Sequence, residues 1–265
     1  MTDTVTAVVP KVLTERVGHG GVITINRPEV FNCVDDDVSA GIEAALDEFE
    51  ARDDIWVIVL TGAGDKAFCS GMDLKAFNTL GPKAKIFTDR GGFAGVTHRK
   101  LTKPTIAAVN GVALGGGLEI ALACDLVVAA EHARLGLPEV KVGLVAAAGG
   151  ITRLAKRIPR ALALEMGMTG EPIDAARAFE AGLVNRICER GKALEEALAL
   201  AESICAASPV AVRQTRSVML ASLEVSDDDA WPLARAAAKA ALKSEDLKEG
   251  QRAFAEKRPP EWKNR

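Results

Sequence analysis

A chain of 265 residues, 48% hydrophobic and 26% charged, is long enough to bury the core of one α/β unit with an appended helical tail. Its formal net charge of −3 gives no reason to expect nucleic acid as a partner. The start, MTDTVTAVVPKVL, lacks a basic region followed by an apolar core, and no apolar run approaches the roughly 20 residues that cross a bilayer, so a cytoplasmic protein without a membrane span is expected.

In chain order, GVITINRP (21–28) is the first β-branched run bounded by turn residues and predicts a strand. DDVSAGIEAALDEFEARDD (36–54) then places Ile42, Leu46 and Phe49 on one helical face, with Asp36 or Asp37 available as the cap. IWVIVLTGAG (55–64) predicts a second strand. The stretch from Ala76 to Pro104 shows little periodicity and reads either as a mobile surface segment or as a loop that covers a substrate. TIAAVNGVAL (105–114) and DLVVAA (125–130) predict further strands. After Gly150 the period becomes helical, through ITRLAKRI, DAARAFEAGL, GKALEEALALAESICAA, PVAVRQTRSVMLASL and DDDAWPLARAAAKAALKS.

Five cysteines, at 33, 69, 124, 188 and 205, are scattered without C-x-x-C or Cys/His pairing, and His19, His98 and His132 are isolated. Reduced, mostly buried thiols are expected, and no metal site. TGAGDKA (61–67) fits the dinucleotide fingerprint G-x-G-x-x-A, but a Rossmann turn must open a helix directly. Gly71 follows too soon for that, and no strand with a terminal acid appears about 20 residues on.

Two other glycine-bearing turns, AFCSGMDLKAF (67–77) and GVALGGGLE (111–119), each follow an apolar strand. A helix starting at Gly116 or Gly117 leaves N–H groups aimed outward, which suits a developing oxyanion; each donor in such a hole is worth about 3 kcal/mol. Two tight turns without a ligand would read the same way. Glu119 opens an apolar run, where a carboxylate is costly unless it faces water at the helix N-terminus. Glu139, in LGLPEVKVGL, is a second lone acid, which would equally suit a surface turn after Pro138. If both face one cleft, desolvation and mutual repulsion raise one pKa and let the pair share a proton around a water.

NRPEVFN (26–32), TGAGDKAFCSGMDLK, KPTIAAVNGVALGGGLEIALACDLVVAAEHARLGLPEVKVGL, AGGITRL, MTGEPIDAARAFEAGLVN and AFAEKRPPEW occur in an order and spacing that resemble the crotonase, or enoyl-CoA hydratase/isomerase, family over nearly the full chain. The resemblance implies an α/β fold, a spiral of ββα units over residues 1–190, with a helical region over 191–265 that assembles trimers, often stacked as hexamers. The Ala-rich helices from 190 to 242 fit that role, and packing on their own core would explain them equally well.

It also implies a lyase of fatty acid metabolism that hydrates a 2-enoyl-CoA reversibly, with coenzyme A entering as part of the substrate and no metal or redox cofactor. By position, the amides of Met72 and Gly116 would hold the thioester oxygen, while Glu119 and Glu139 would hold and deprotonate the water that attacks C3, Glu139 supplying the proton to C2. Substrate contacts are implied at Ser70, Gly71, Asp73, Leu74, Gly115, Pro138 and Ala147, with the adenine near Ala67 and Phe68 and its phosphates near Arg27 and Lys257. Related scaffolds also carry isomerases, acyl-CoA hydrolases and non-catalytic acyl-CoA binders; both glutamates together favour water addition. VGLVAAAGG (142–150) departs from the family in lacking a proline and glycine before AGG, and Met72 replaces a small residue. GGFAG (91–95), EMGMTG and AFAEKRPPEWKNR resemble carnitinyl-CoA dehydratase-like members, which implies an unusual acyl group.

Overall fold

The computed structural model describes residues 9–265, so the N-terminal reading made on residues 1–8 lies outside the described part. The strands are β1 (Val12–Val17), β2 (Gly20–Ile25), β3 (Val57–Gly62), β4 (Ala67–Cys69), β5 (Phe87–Thr88), β6 (Gly92–Phe93), β7 (Thr105–Val109), β8 (Val112–Leu114), β9 (Leu126–Ala130), β10 (Arg134–Gly136), β11 (Ile173–Asp174) and β12 (Arg186–Cys188). The helices are α1 (Asp36–Ala51), α2 (Leu74–Leu80), α3 (Gly116–Ala123), α4 (Gly150–Arg157), α5 (Arg160–Thr169), α6 (Ala175–Glu180), α7 (Ala193–Cys205), α8 (Pro209–Ser222), α9 (Asp227–Leu242) and α10 (Glu245–Glu256).

A six-stranded sheet runs in the order β1-β2-β3-β7-β9-β12, and a four-stranded sheet in the order β11-β10-β8-β4. The unit β3-β4-α2 is followed by β7-β8-α3 and then by β9-β10-α4. Each unit adds one strand to both sheets, and this repetition generates the spiral.

The central strands read as continuous apolar runs because both faces are covered. Side chains alternate across the sheet: Ile23, Ile58, Leu60, Ala107 and Val109 join Ile42, Leu46 and Phe49 of α1 in one core. Val22, Val57, Val59, Ile106, Ala108 and Val128 face Ala193, Ala197 and Ala201 of α7 in a second. Small alanines let α7 lie close on that β-branched surface. The first helix of the region expected over 191–265, α7, packs on the sheet in this second core.

Several expectations change in detail. Asp35, not Asp36 or Asp37, caps α1 by accepting the Val38 N–H at 3.0 Å. The strand expected over 105–114 is split at Asn110, whose side-chain amide donates to Gly62 O at 2.9 Å and Gly64 O at 2.7 Å and accepts the Gly62 N–H at 3.2 Å. That splice sends the chain from one sheet to the other. Of the segment 76–104, Ile86, Phe93, Ala94 and Val96 are buried in the main core, which is why it has no surface-like composition despite its irregular pattern. The half expected to be helical also carries β11 and β12, too short to show a period of two. TGAGDKA leads from β3 into β4 rather than into a helix, which removes the dinucleotide reading.

Candidate active site

The two glycine turns touch. At Gly71 (φ +100°) a Cβ would stand 3.1 Å from the Gly116 nitrogen and 3.1 Å from Leu114 O. Only glycine takes that conformation and approach together. Gly117 presses still closer to the other turn, for a Cβ there would overlap the Cys69 carbonyl. The start of α3 is thus wedged against the chain between β4 and α2.

Val34 pins the peptides on both sides of Met72: its N–H donates to Gly71 O and its carbonyl accepts from Asp73 N, each at 2.8 Å. Gly116 is the first residue of α3, so its N–H has no intrahelical acceptor. Among the described residues no backbone carbonyl outside the regular elements takes either the Met72 or the Gly116 N–H. The helix adds partial positive charge at the same end.

Glu119 is 4% exposed, so the water-facing alternative does not hold. Its N–H donates to Gly115 O at 3.0 Å, which sets it one turn into α3, and its Oε1 accepts the Gly150 N–H at 2.9 Å from the start of α4. Burial pushes its pKa upward; the Gly150 and Ala148 amides pull the other way, and the charge of Glu139 adds to the rise. Glu139 rides on the 3-10 turn Pro138–Val142, opened by Pro138. Its Oε1 lies over Gly115, 3.1 Å from where a Cβ would stand, and its buried Oε2 has no hydrogen-bond partner. Burial raises its pKa too. Both carboxyls therefore meet at the end of α3 that carries the Gly116 amide.

The remaining candidates are placed less directly. Arg27 donates to Asp73 at 3.0 Å and Cys33 O at 2.8 Å and pairs with Asp35 at 3.2 Å, so its guanidinium is taken up within the fold. Asp73 also caps α2 by accepting the Ala76 N–H. Ala67 and Phe68 are buried and turn no side chain outward, whereas Ser70 is partly open and Leu74 exposed. Ala147 is exposed, and the amides facing Glu119 belong to Ala148 and Gly150 instead. Lys257 is an exposed residue that ends α10, which packs on α9; it is not brought to the glutamates. Sequence reading passed over Gly150, although a glycine pair just before a helical run was its signal. All five cysteines are free, and burial pushes the Cys69 thiol up to about 12, the inert state expected of a small core residue.

The chain is similar to known proteins over nearly its whole length. The profile of the family described as enoyl-CoA hydratase/isomerase matches residues 19–265. A carnitinyl-CoA dehydratase of Proteus mirabilis is 39% identical over 248 residues, 92% of this chain and 94% of that protein. The crystal structure of an enoyl-CoA hydratase from Mycobacterium tuberculosis superposes with a TM-score of 0.92 at 45% identity, covering 97% of this chain and 100% of that one. A carnitinyl-CoA hydratase from Mycobacterium avium superposes with a TM-score of 0.78 at 45% identity over the same shares. With an α/β spiral and this likeness over nearly its whole length, the chain belongs to the enoyl-CoA hydratase/isomerase family.

Proposed function

We propose that the protein is an enoyl-CoA hydratase, adding water reversibly across the C2–C3 double bond of a trans-2-enoyl-CoA. One observation carries this: a buried carboxyl and a half-buried one with an unpartnered oxygen converge where two main-chain amides also lack acceptors. The Met72 and Gly116 N–H groups hold the thioester oxygen and stabilise the enolate as charge develops on it. Glu119, oriented by Gly150, and Glu139 hold one water between them. Its oxygen bonds to C3, its proton passes to the carboxylate pair, and Glu139 delivers a proton to C2. The reverse order of events is dehydration.

The carboxylates and amides suffice for this chemistry, and coenzyme A belongs to the substrate rather than to the resting protein. The coenzyme A moiety passes the open edge of the first turn at Ser70 and Leu74, where Ala67 and Phe68 offer only backbone. Gly71, Gly115 and Pro138 shape the site from behind. A second reading, dehydration of a carnitinyl-CoA, is supported by the similarity to dehydratases of that name.

The active form we propose is a homotrimer or a dimer of trimers. Apolar Met219 and Leu223 near the end of α8, with Trp231 and Leu242 on α9, stand exposed on the single chain and would be covered in such an assembly. No helix among the described residues is long and apolar enough to cross a membrane, and a cytoplasmic location is part of this reading. Incubation with crotonyl-CoA tests the activity: loss of the conjugated-thioester ultraviolet absorbance is expected, and an unchanged spectrum at high protein concentration defeats the proposal.

A further inference from the structure

Behind the glutamates, α8 spans a cavity of about 1430 Å³ whose opposite wall includes Phe93, Leu122, Ala147, Arg153 and Arg157. The cavity shares its wall with the site. Phe93 packs against Gly116 while facing the cavity, Leu122 lies one turn beyond Glu119 on α3, and residues 147–149 lead directly into Gly150.

The charges around this cavity do not cancel. Arg216 is paired with Asp125 at 2.7 Å, Lys156 with Glu224 at 2.6 Å, and Arg99 with Asp47; His98, Lys100, Arg213 and the Cys124 thiol, besides Arg153 and Arg157, complete the titratable lining. Arg153 and Arg157, a helical turn apart on α4, have only carbonyl acceptors. Arg153 donates to Thr97 O at 2.5 Å and Ala148 O at 3.3 Å; Arg157 donates to Cys124 O and Asp125 O, each at 3.0 Å. Nη1 of Arg157 is buried with no partner at all. A neutral carbonyl does not pair a guanidinium, and although the charges of Glu119 near Arg153 and Asp125 near Arg157 act the other way, burial pulls both arginines below their ordinary pKa. A forked cation with an unused buried N–H is a receptor for a carboxylate.

We infer that the acyl group of the substrate ends in a carboxylate, received in this cavity by Arg153 and Arg157. The inference rests on the hydratase reading, which places C3 at Glu119 and so directs the remainder of the acyl chain toward the Phe93 and Ala147 wall. The same pair repels a quaternary ammonium of the kind a carnitinyl group carries, so an anionic acyl end and a cationic one are mutually exclusive here. A neutral chain would fill the space without meeting the charge.

The test is binding, separate from turnover. Saturated glutaryl-, adipyl- and suberyl-CoA are titrated calorimetrically into the intact protein beside butyryl-, hexanoyl- and octanoyl-CoA and a trimethylammonio-acyl-CoA. At the length that fits, the carboxylate-ended ester is expected to bind on the order of tenfold or more tightly than its neutral counterpart, the scale of a charge-assisted hydrogen bond. Arg157→Gln and Arg153→Gln should each erase that preference, and Arg157→Lys should restore part of it. Equal affinity of carboxylate-ended and neutral esters at every length overturns the inference, as does tighter binding of the cationic ester. A preference that survives both glutamine variants overturns the placement, and the wild-type panel decides even where a variant does not fold. Crotonyl-CoA hydration by the wild-type protein reports on the underlying activity, so a failure of that reading is seen independently of this one.

Discussion

Glu119 Oε1 accepts the Gly150 N–H at 2.9 Å, joining the middle of α3 to the first residue of α4. The bond fixes a carboxylate that would otherwise be an unsatisfied acid in an apolar helix. Glu139 contributes the complementary situation, a carboxyl with a buried oxygen unclaimed by the fold. An acid held by main-chain amides, beside one with an unclaimed oxygen, is suited to gripping a single water.

Replacement of either acid by glutamine keeps size and some hydrogen bonding but removes the proton acceptor. Glu119→Gln and Glu139→Gln are each expected to lower kcat for crotonyl-CoA by roughly 10²- to 10⁴-fold, the usual worth of general acid–base catalysis, with affinity for a saturated acyl-CoA retained. Full activity in either variant removes that residue from the mechanism.

Because burial raises both pKa values, the acid limb of kcat/KM is expected above the ordinary glutamate value of about 4.3. A limb at or below that value in the wild-type profile would show that neither raised group governs the rate.

The same shift has a sign for stability. A carboxyl whose folded pKa lies above its unfolded value contributes stability present at low pH and lost as pH rises through the folded pKa. Glu119→Gln does not titrate, so its Tm relative to wild type should climb as the pH rises above the ordinary glutamate range. Thermal scans from that range upward check it; a pH-independent difference contradicts the assigned shift.

Gly117→Ala places a methyl against the Cys69 carbonyl, a backbone atom that cannot rotate away. The variant should lose several kcal/mol of stability or shift the start of α3 enough to abolish hydration, comparable to other overpacked sites at about 1–3 kcal/mol or more. Urea melts and the crotonyl-CoA assay together distinguish the two outcomes, and wild-type values in both would mean that α3 does not approach β4 this closely.

Asn110→Ala removes the splice between the sheets, taking the side-chain partner from the buried Gly62 O and Gly62 N–H. A loss of about 2–4 kcal/mol is expected, since unsatisfied buried groups cost about 1–3 kcal/mol each. A midpoint in urea within error of wild type would contradict the accounting.

The layered core was readable because its cause is local. The β-branched runs GVITINRP and IWVIVLTGAG, and Ile42, Leu46 and Phe49 at helical spacing, report burial from neighbouring residues alone, and the structure places them in the central sheet and α1. Short strands such as β10 and β11 lack enough residues to display a period, so tertiary pairing alone defines them. The segment 76–104 misled for a related reason: Ile86, Phe93 and Val96 are buried through turns and a two-residue hairpin rather than through one amphipathic element.

The amino-acid sequence by itself determined the identity of the two acids, the glycines that allow backbone to approach backbone, and the family whose motif order it resembles. Only the tertiary structure decided that Glu119 and Glu139 share one end of α3, that Arg27 is spent on Asp35 and Asp73, and that Gly150 rather than Ala147 holds the first acid. The physical reason is range. Propensity and periodicity act over a few neighbouring residues, whereas a carboxyl's partners, its desolvation and its pKa depend on chain segments far away in sequence that meet only when the spiral closes.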